Sequence, residues 1–293
     1  MASLQRTFIL SVPHSLAVAC LLLPGQLFAQ TLPAPVAPAI SPVSPRAEAT
    51  ALRITMEQAL APSFTSNADE EARNPRRVGF LRLSQGLSVF APLGQGISAF
   101  GRLGWSYDHY GLRGYNASDV SGQLSLTRRW DNVAAVLFYS NTHDHSRLLA
   151  EHAETVQALA TALRADFKPA DGWTLTPSLQ IRRRWSQGSA SDTMSLQPSL
   201  ALSYSTCKPN QPSCWSAGLT ARTRWSRYDQ RFEGRQRFDR LSAVVADASY
   251  QFTPQWRVGA TVSLSVNRSN RPDRGYRTLD AAPMLVLSRV LYP

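Results

Sequence analysis

From Ala51 onward the chain repeats one pattern: an apolar residue stands at every second position over stretches of about 8 to 14 residues. Between Ser118 and Trp130, Val120, Gly122, Leu124 and Leu126 form one set, and Ser121, Gln123, Ser125, Thr127 and Arg129 the other. Trp173, Leu175, Leu179 and Ile181 alternate in the same way with Thr174, Thr176, Ser178, Gln180, Arg182 and Arg184. So do Val258, Ala260, Val262, Leu264 and Val266 with Arg257, Thr261, Ser263 and Ser265. A period of two sends successive side chains to opposite faces of a strand, so the pattern commits this region to β-structure with two unlike faces. It holds almost no helical period and no apolar run near the ~18 residues that mark a spanning helix.

The segments number about twelve, at 51–63, 77–90, 97–109, 119–130, 133–143, 154–167, 173–184, 194–206, 215–225, 241–252, 256–267 and 278–292. Short connections, such as APLGQG, WDN, KPADG and TPQ, alternate with long polar ones, such as THDHSRLLAEHA, SRYDQRFEGRQRFDR and NRSNRPDRGYR. Alternation alone would also suit a soluble sandwich. Three further features favour a barrel in lipid. The strands exceed the ~5 to 6 residues usual in soluble sheets. Aromatic residues stand at strand ends: Trp105, Tyr107, Trp130, Trp173, Trp185, Trp215, Trp225 and Trp256. The alternating short and long connections match the two sides of an outer-membrane barrel. The expected fold is all-β, a transmembrane antiparallel up-and-down β-barrel of about twelve strands over 51–293.

The N-terminus points the same way. Arg6, an apolar stretch from Phe8 to Leu23, the breaker Pro24-Gly25 and a small Ala29 read as a secretory signal peptide over residues 1–29. The rivals are a membrane anchor, for which Pro13, His14 and Ser15 interrupt the apolar run, and a lipoprotein site at Cys20. Residues 30–50, with proline at 33, 35, 38, 42 and 45 among small residues, cannot bury an apolar face and read as a periplasmic tether. Cleavage after Ala29 removes Cys20 and leaves Cys207 and Cys214, an even pair that in an exported chain reads as a disulfide.

The stretch from Phe80 to Gly94, FLRLSQGLSVFAPLG, follows an acidic segment at Asn67–Glu71. Together with KPADGWTLTPSL and FTPQWRVGATVSL it resembles the β-barrel porins found with bacterial exopolysaccharide operons, and the barrel portion of surface-lipoprotein assembly modifiers. The resemblance covers most of 51–293 and implies an outer-membrane location and a porin-like or secretion-related role. It brings no catalytic residues. Such barrels end on an aromatic residue, which here is Tyr292, one place before the end.

The formal charge is +11, carried almost wholly by arginine, since Lys168 and Lys208 are the only lysines. Export and the strand pattern exclude nucleic acid as the partner of this charge. Parity places Arg102, Arg129, Arg182, Arg184, Arg222, Arg224 and Arg257 on the interior face, because a charge at the lipid midplane costs about 2–4 kcal/mol. Arg227, Arg231, Arg235, Arg237, Arg240, Arg268, Arg271, Arg274 and Arg277 fall in the connections expected to be extracellular. Two readings follow. An electropositive funnel would draw in anionic solutes or acidic polysaccharide. Alternatively, interior arginines brace the lumen against Asp108, Asp247 and Asp280, while loop arginines hold lipopolysaccharide phosphates or a partner.

No pattern calls for a cofactor or an enzyme. His143-Asp144-His145 has the i, i+2 spacing that shares a strand face, but within a long polar loop it reads as solvated rather than as a metal site. Asp108-His109-Tyr110 is the nearest approach to a catalytic base pair. The segment Leu148–Leu163 reads as loop plus strand.

Overall fold

In lipid a backbone amide has no water to bond, so strands can cross only as a closed cylinder in which each pairs on both sides. The computed structural model of the chain describes residues 51–67, 77–111, 116–146, 151–187, 192–207, 213–232 and 235–292. It has that form. Twelve antiparallel strands follow one another around a closed barrel. They are β1 (Arg53–Thr65), β2 (Val78–Gly94), β3 (Ile97–Tyr110), β4 (Ala117–Trp130), β5 (Val133–Ser146) and β6 (Glu151–Ala165). They continue as β7 (Trp173–Gln187), β8 (Thr193–Ser205), β9 (Cys214–Phe232), β10 (Arg235–Gln251), β11 (Trp256–Ser269) and β12 (Tyr276–Tyr292). The seam closes by pairing β1 with β12, from Ile54 opposite Tyr292 to Thr65 opposite Asp280. The signal peptide and tether expected over 1–50, and the acidic segment at 68–71, lie outside the described residues.

The two faces are inverted relative to a water-soluble protein. Outward positions are apolar and bare, as with Leu103 (66% exposed), Leu124 (63%) and Leu264 (53%). Many inward positions are small or polar, including the buried Ser140, Glu154, Thr193, Ser195, Ser265, Asn267 and Thr278. This is the arrangement of a barrel whose wall meets hydrocarbon. Aromatic residues border the apolar belt. At the end that holds the termini, Trp173 packs on Tyr204 (ring centroids 5.0 Å apart) and Trp215 on Tyr250 (4.7 Å). At the other end stand Trp185 on β7 and Trp225 on β9. The roughly ten residues from Trp215 to Trp225, at ~3.3 Å each and tilted by ~40°, give a belt about 25 Å high.

The turns at the terminal end are tight. Gly94, Gln95 and Gly96 turn β2 into β3 with φ of 85°, 51° and 71°. At Gly96 a Cβ would stand 2.5 Å from the Arg129 carbonyl oxygen, so any other residue would strain the turn. The β8–β9 connection at this end carries the Cys207–Cys214 disulfide, with Cα atoms 4.9 Å apart. Its flanks are hydrogen-bonded, Thr206 N–H to the Trp215 carbonyl and Trp215 N–H to Thr206 Oγ1, each at 2.9 Å.

The other end departs from expectation. The segment 226–240 was expected as a loop. Instead β9 and β10 run through most of it as a hairpin joined at 233–234, so Arg227, Arg235, Arg237 and Arg240 stand on strands. Arg231 also belongs to β9. Arg268 and Arg277 likewise belong to β11 and β12, and only Arg271 and Arg274 lie in a connection. His143 and His145 belong to β5 rather than to a polar loop. The physical reason is common to all of these. Beyond the lipid both faces of a strand meet water, so hydrophobic alternation stops while the backbone ladder continues. Neighbouring strands are shorter: β8 reaches β9 only as far as Thr193 opposite Tyr228, with Asp229 N–H bonding the Asp192 carbonyl. The hairpin tip therefore stands about three residues, ~10 Å, proud of β8.

The wall is braced from inside. Glu57 on β1 and Arg102 on β3 form an ion pair (3.5 Å) across the intervening β2, where Gly86 lies directly opposite Glu57 and opposite Gly104. A Cβ at Gly86 would meet the Arg102 guanidinium at 2.9 Å. Gly86→Val should therefore cost about 1–3 kcal/mol in denaturant unfolding from lipid vesicles, by overpacking. In an Arg102→Ala background the same valine should cost much less; an equal cost would show that the guanidinium is not what Gly86 accommodates. Cys207→Ser with Cys214→Ser should lower stability by ~2.5 kcal/mol through the lost loop constraint. Thiol reagents should label neither cysteine until the protein is reduced.

Candidate functional site

Register, rather than parity alone, decides which interior charges meet. Arg82 on β2 stands opposite Asp108 on β3, and its Nε and Nη2 donate to the two carboxylate oxygens at 2.6 and 2.5 Å. Ser106 donates to Asp119, and from there one inward row crosses β4, β5 and β6: Asp119 opposite Asp144, and Asp144 opposite Glu154. Glu154 accepts from Ser186 and pairs with Arg184 at 3.2 Å. Near the terminal end Arg129 pairs with Asp166 at 3.3 Å, and Asp166 also accepts from Thr176 at 2.9 Å.

A basic wall occupies β6 to β9. Arg164 lies opposite Ser178, Ser178 opposite Ser199, and Ser199 opposite Arg222, the two serines sharing a hydrogen bond of 2.6 Å. Arg182 lies opposite Ala160 and Arg184 opposite Ala158. Both alanines are fully covered, at 2% and 0% exposure, so β6 presents only methyl groups where β7 carries its long side chains. Arg224 stands on β9 two residues above Arg222, opposite Leu241. The charges of Arg184 and Arg224 act on Arg182, and that of Arg224 on Arg222. Among the described residues no carboxylate lies within ion-pair distance of Arg164, Arg182, Arg222, Arg224 or Arg257. The Nε atoms of Arg164, Arg182 and Arg224 are buried without a protein hydrogen-bond partner.

The upper part of the interior holds a small apolar cluster, Val78, Phe80 and Tyr110. Phe80 stacks on Tyr110 with centroids 4.7 Å apart, and the Arg82 guanidinium lies 5.6 Å from the Phe80 centroid. On the projecting hairpin, Arg237 pairs with Asp239 and covers the Tyr228 ring at 4.1 Å.

Arg102, Arg129, Arg182, Arg184, Arg222, Arg224 and Arg257 alternate along their strands with exposed apolar residues such as Leu103, Ile181, Trp225 and Val258. Of the expected bracing acids Asp108 does pair with an interior arginine, while Asp247 and Asp280 form no ion pair among the described residues. Asp108 serves Arg82, which sequence reading did not single out; Asp280 accepts from Ser263 at 3.1 Å; and Asp247 leans toward Gly218 with no ion pair among the described residues. The acids that do brace the expected arginines are Glu57, Glu154 and Asp166. Arg82, Arg164 and Phe80 were missed; alternation with the exposed Leu81 and Leu83 on β2, and with Leu163 on β6, is the signal that could have placed them inside. In the connection, Asp273 pairs with Arg271 at 2.9 Å and Arg274 at 3.4 Å. His143 bonds Asn141 (3.3 Å) and Thr155 (3.0 Å) on the outer face, while Asp144 points inward. Among the described residues no three His, Cys, Asp or Glu side chains are arranged to hold a metal ion.

No family profile and no curated protein matches the chain. Solved structures do match. An outer membrane channel from Pseudomonas putida F1 superposes with a TM-score of 0.50 at 11% identity, over 82% of this chain and 96% of that one. The translocator domain of the autotransporter NalP from Neisseria meningitidis gives 0.47 at 14% identity, over 83% and 90%. A bacterial polysaccharide outer membrane secretin gives 0.47 at 9% identity, over 79% and 97%. The chain has the fold of the outer-membrane β-barrels.

Proposed function

We propose that this barrel sits in the bacterial outer membrane as a narrow porin or export-associated channel for anionic solutes or acidic polysaccharide. Its termini and the Cys207–Cys214 connection face the periplasm, where disulfides form. The observation that carries this reading is the basic wall. Arg164, Arg182, Arg222 and Arg224 are inward and without carboxylate partners among the described residues, and the charge of Arg224 acts on both Arg182 and Arg222. A barrel that needed arginines only as braces would pair them, as it does Arg102, Arg129 and Arg184. Unpaired guanidiniums in a confined interior attract anions by field focusing and bind carboxylates or phosphates in a forked geometry. The chemistry of the wall does not choose between a small solute and a polymer.

A second reading has one observation in its favour. The Val78, Phe80 and Tyr110 cluster, together with the Arg82–Asp108 pair, fills part of the interior near the end with the long connections. A twelve-stranded barrel has little width to spare, so these side chains favour a non-conducting surface protein whose basic outer end binds lipopolysaccharide, a protein partner or a host ligand.

Planar-bilayer recording separates the two. The folded barrel should give discrete conductance steps that favour anions over cations, and Arg182→Ala with Arg222→Ala should bring that preference close to unity while the steps persist. A barrel shown to be folded by heat-modifiable gel migration, yet silent in the bilayer, would sink the channel reading and favour the second.

A further inference from the structure

A different set of arginines faces away from the interior. On the outer wall, just beyond the apolar belt, β9 to β12 each present one exposed outward arginine: Arg227, Arg240, Arg268 and Arg277. Register makes them contiguous. Arg240 stands directly opposite Arg268. Trp225 opposite Arg240 and Arg227 opposite Phe238 place Arg227 diagonal to Arg240. Val266 opposite Arg277 places Arg277 diagonal to Arg268.

Among the described residues no carboxylate forms an ion pair with any of the four, although the charge of Arg227 acts on Asp229 two residues further along β9. Asp229 is paired with Arg183, Asp239 faces inward to Arg237, and Asp273 is shared by Arg271 and Arg274. Like charges directly opposite one another destabilise an antiparallel pair, so Arg240 and Arg268, with no ion-pair partner among the described residues and Arg277 and Arg227 diagonal to them, favour an anion from outside. Below them on the same outer face lie Trp225, Val244, Leu264 and Leu279, all exposed apolar surface. A ligand seated here thus meets guanidinium groups at one end and hydrocarbon-facing wall at the other.

We propose that the Arg227–Arg240–Arg268–Arg277 ladder is a binding site for the phosphate groups of a phosphorylated glycolipid of the outer leaflet, of the lipid A type, whose acyl chains lie along the apolar wall below. Arginine suits this role because its planar fork grips phosphate with two parallel hydrogen bonds, while its aliphatic stem can lie along apolar surface and lift the charge to the headgroup level. The placement in the outer leaflet rests on the orientation proposed above; the ladder itself does not depend on whether the lumen conducts.

The test uses the full barrel refolded into phosphatidylcholine vesicles that contain lipid A, with lipid A stripped of its phosphates as one comparison and inorganic phosphate as another. Lipid retained per barrel is read by native mass spectrometry after detergent extraction. The parent protein should retain phosphorylated lipid A, and R240Q/R268Q about tenfold less, with heat-modifiable migration intact in both. R240K/R268K, which keeps the charge but not the fork, should fall between them, and it carries the test if the glutamine pair fails to fold. Equal retention by the variants, equal retention of the dephosphorylated lipid, or displacement by inorganic phosphate alone would each overturn the site. Labelling of Arg274→Cys by a membrane-impermeant thiol reagent in intact cells isolates the orientation. A labelled cysteine with no lipid retention rejects the ladder alone, whereas an unlabelled one rejects the outer-leaflet placement.

Discussion

The pairing of β1 with β12 is the interaction on which the rest of this structure depends. Every other strand pair joins neighbours in sequence, and any of them could exist in an open sheet. An open sheet in hydrocarbon would leave two rows of unpaired amides and carbonyls, each costing several kcal/mol. Closing the seam removes both edges at once. It also fixes the inside-out pattern, since only a closed wall has an interior that can be wet while the exterior is apolar.

Closure then sets the terms for what the interior can hold. Long charged side chains must fit within a limited radius, and the wall provides room by thinning where they cross. Gly86 lets the Glu57–Arg102 pair span a strand, and Ala158 and Ala160 sit beside Arg184 and Arg182. The same thinning serves two ends. Where an acid is within reach, as for Arg102 and Arg184, the arginine becomes a brace; Arg182 and Arg222 have no ion-pair partner among the described residues.

The alternation of Leu124 with Ser125, or Ile181 with Arg182, was enough to read twelve strands and their faces, because parity is a local property. The Cys207–Cys214 clamp was legible for a similar reason: export and an even count of cysteines need no knowledge of the fold. Partners were not legible. That Arg82 meets Asp108, or that Arg102 reaches Glu57 two strands away, depends on register, which a run of alternating residues does not specify. Strand ends were misread wherever water lies on both sides, as at Arg227 and Arg240, since the amphipathic signal vanishes there while the hydrogen-bond ladder does not.

One property of the basic wall follows from barrel geometry. Strands in such barrels tilt by ~35–45° from the axis, so a line of cross-strand neighbours is not a ring at constant depth. The line from Arg164 through Ser178 and Ser199 to Arg222 starts one residue from the end of β6 and arrives well inside β9. It is a ramp. On the proposed channel reading, an anion passing from Arg164 toward Arg222 would turn about the barrel axis as it advanced, on a path that is part of a screw with a pitch set by strand tilt rather than by any side chain.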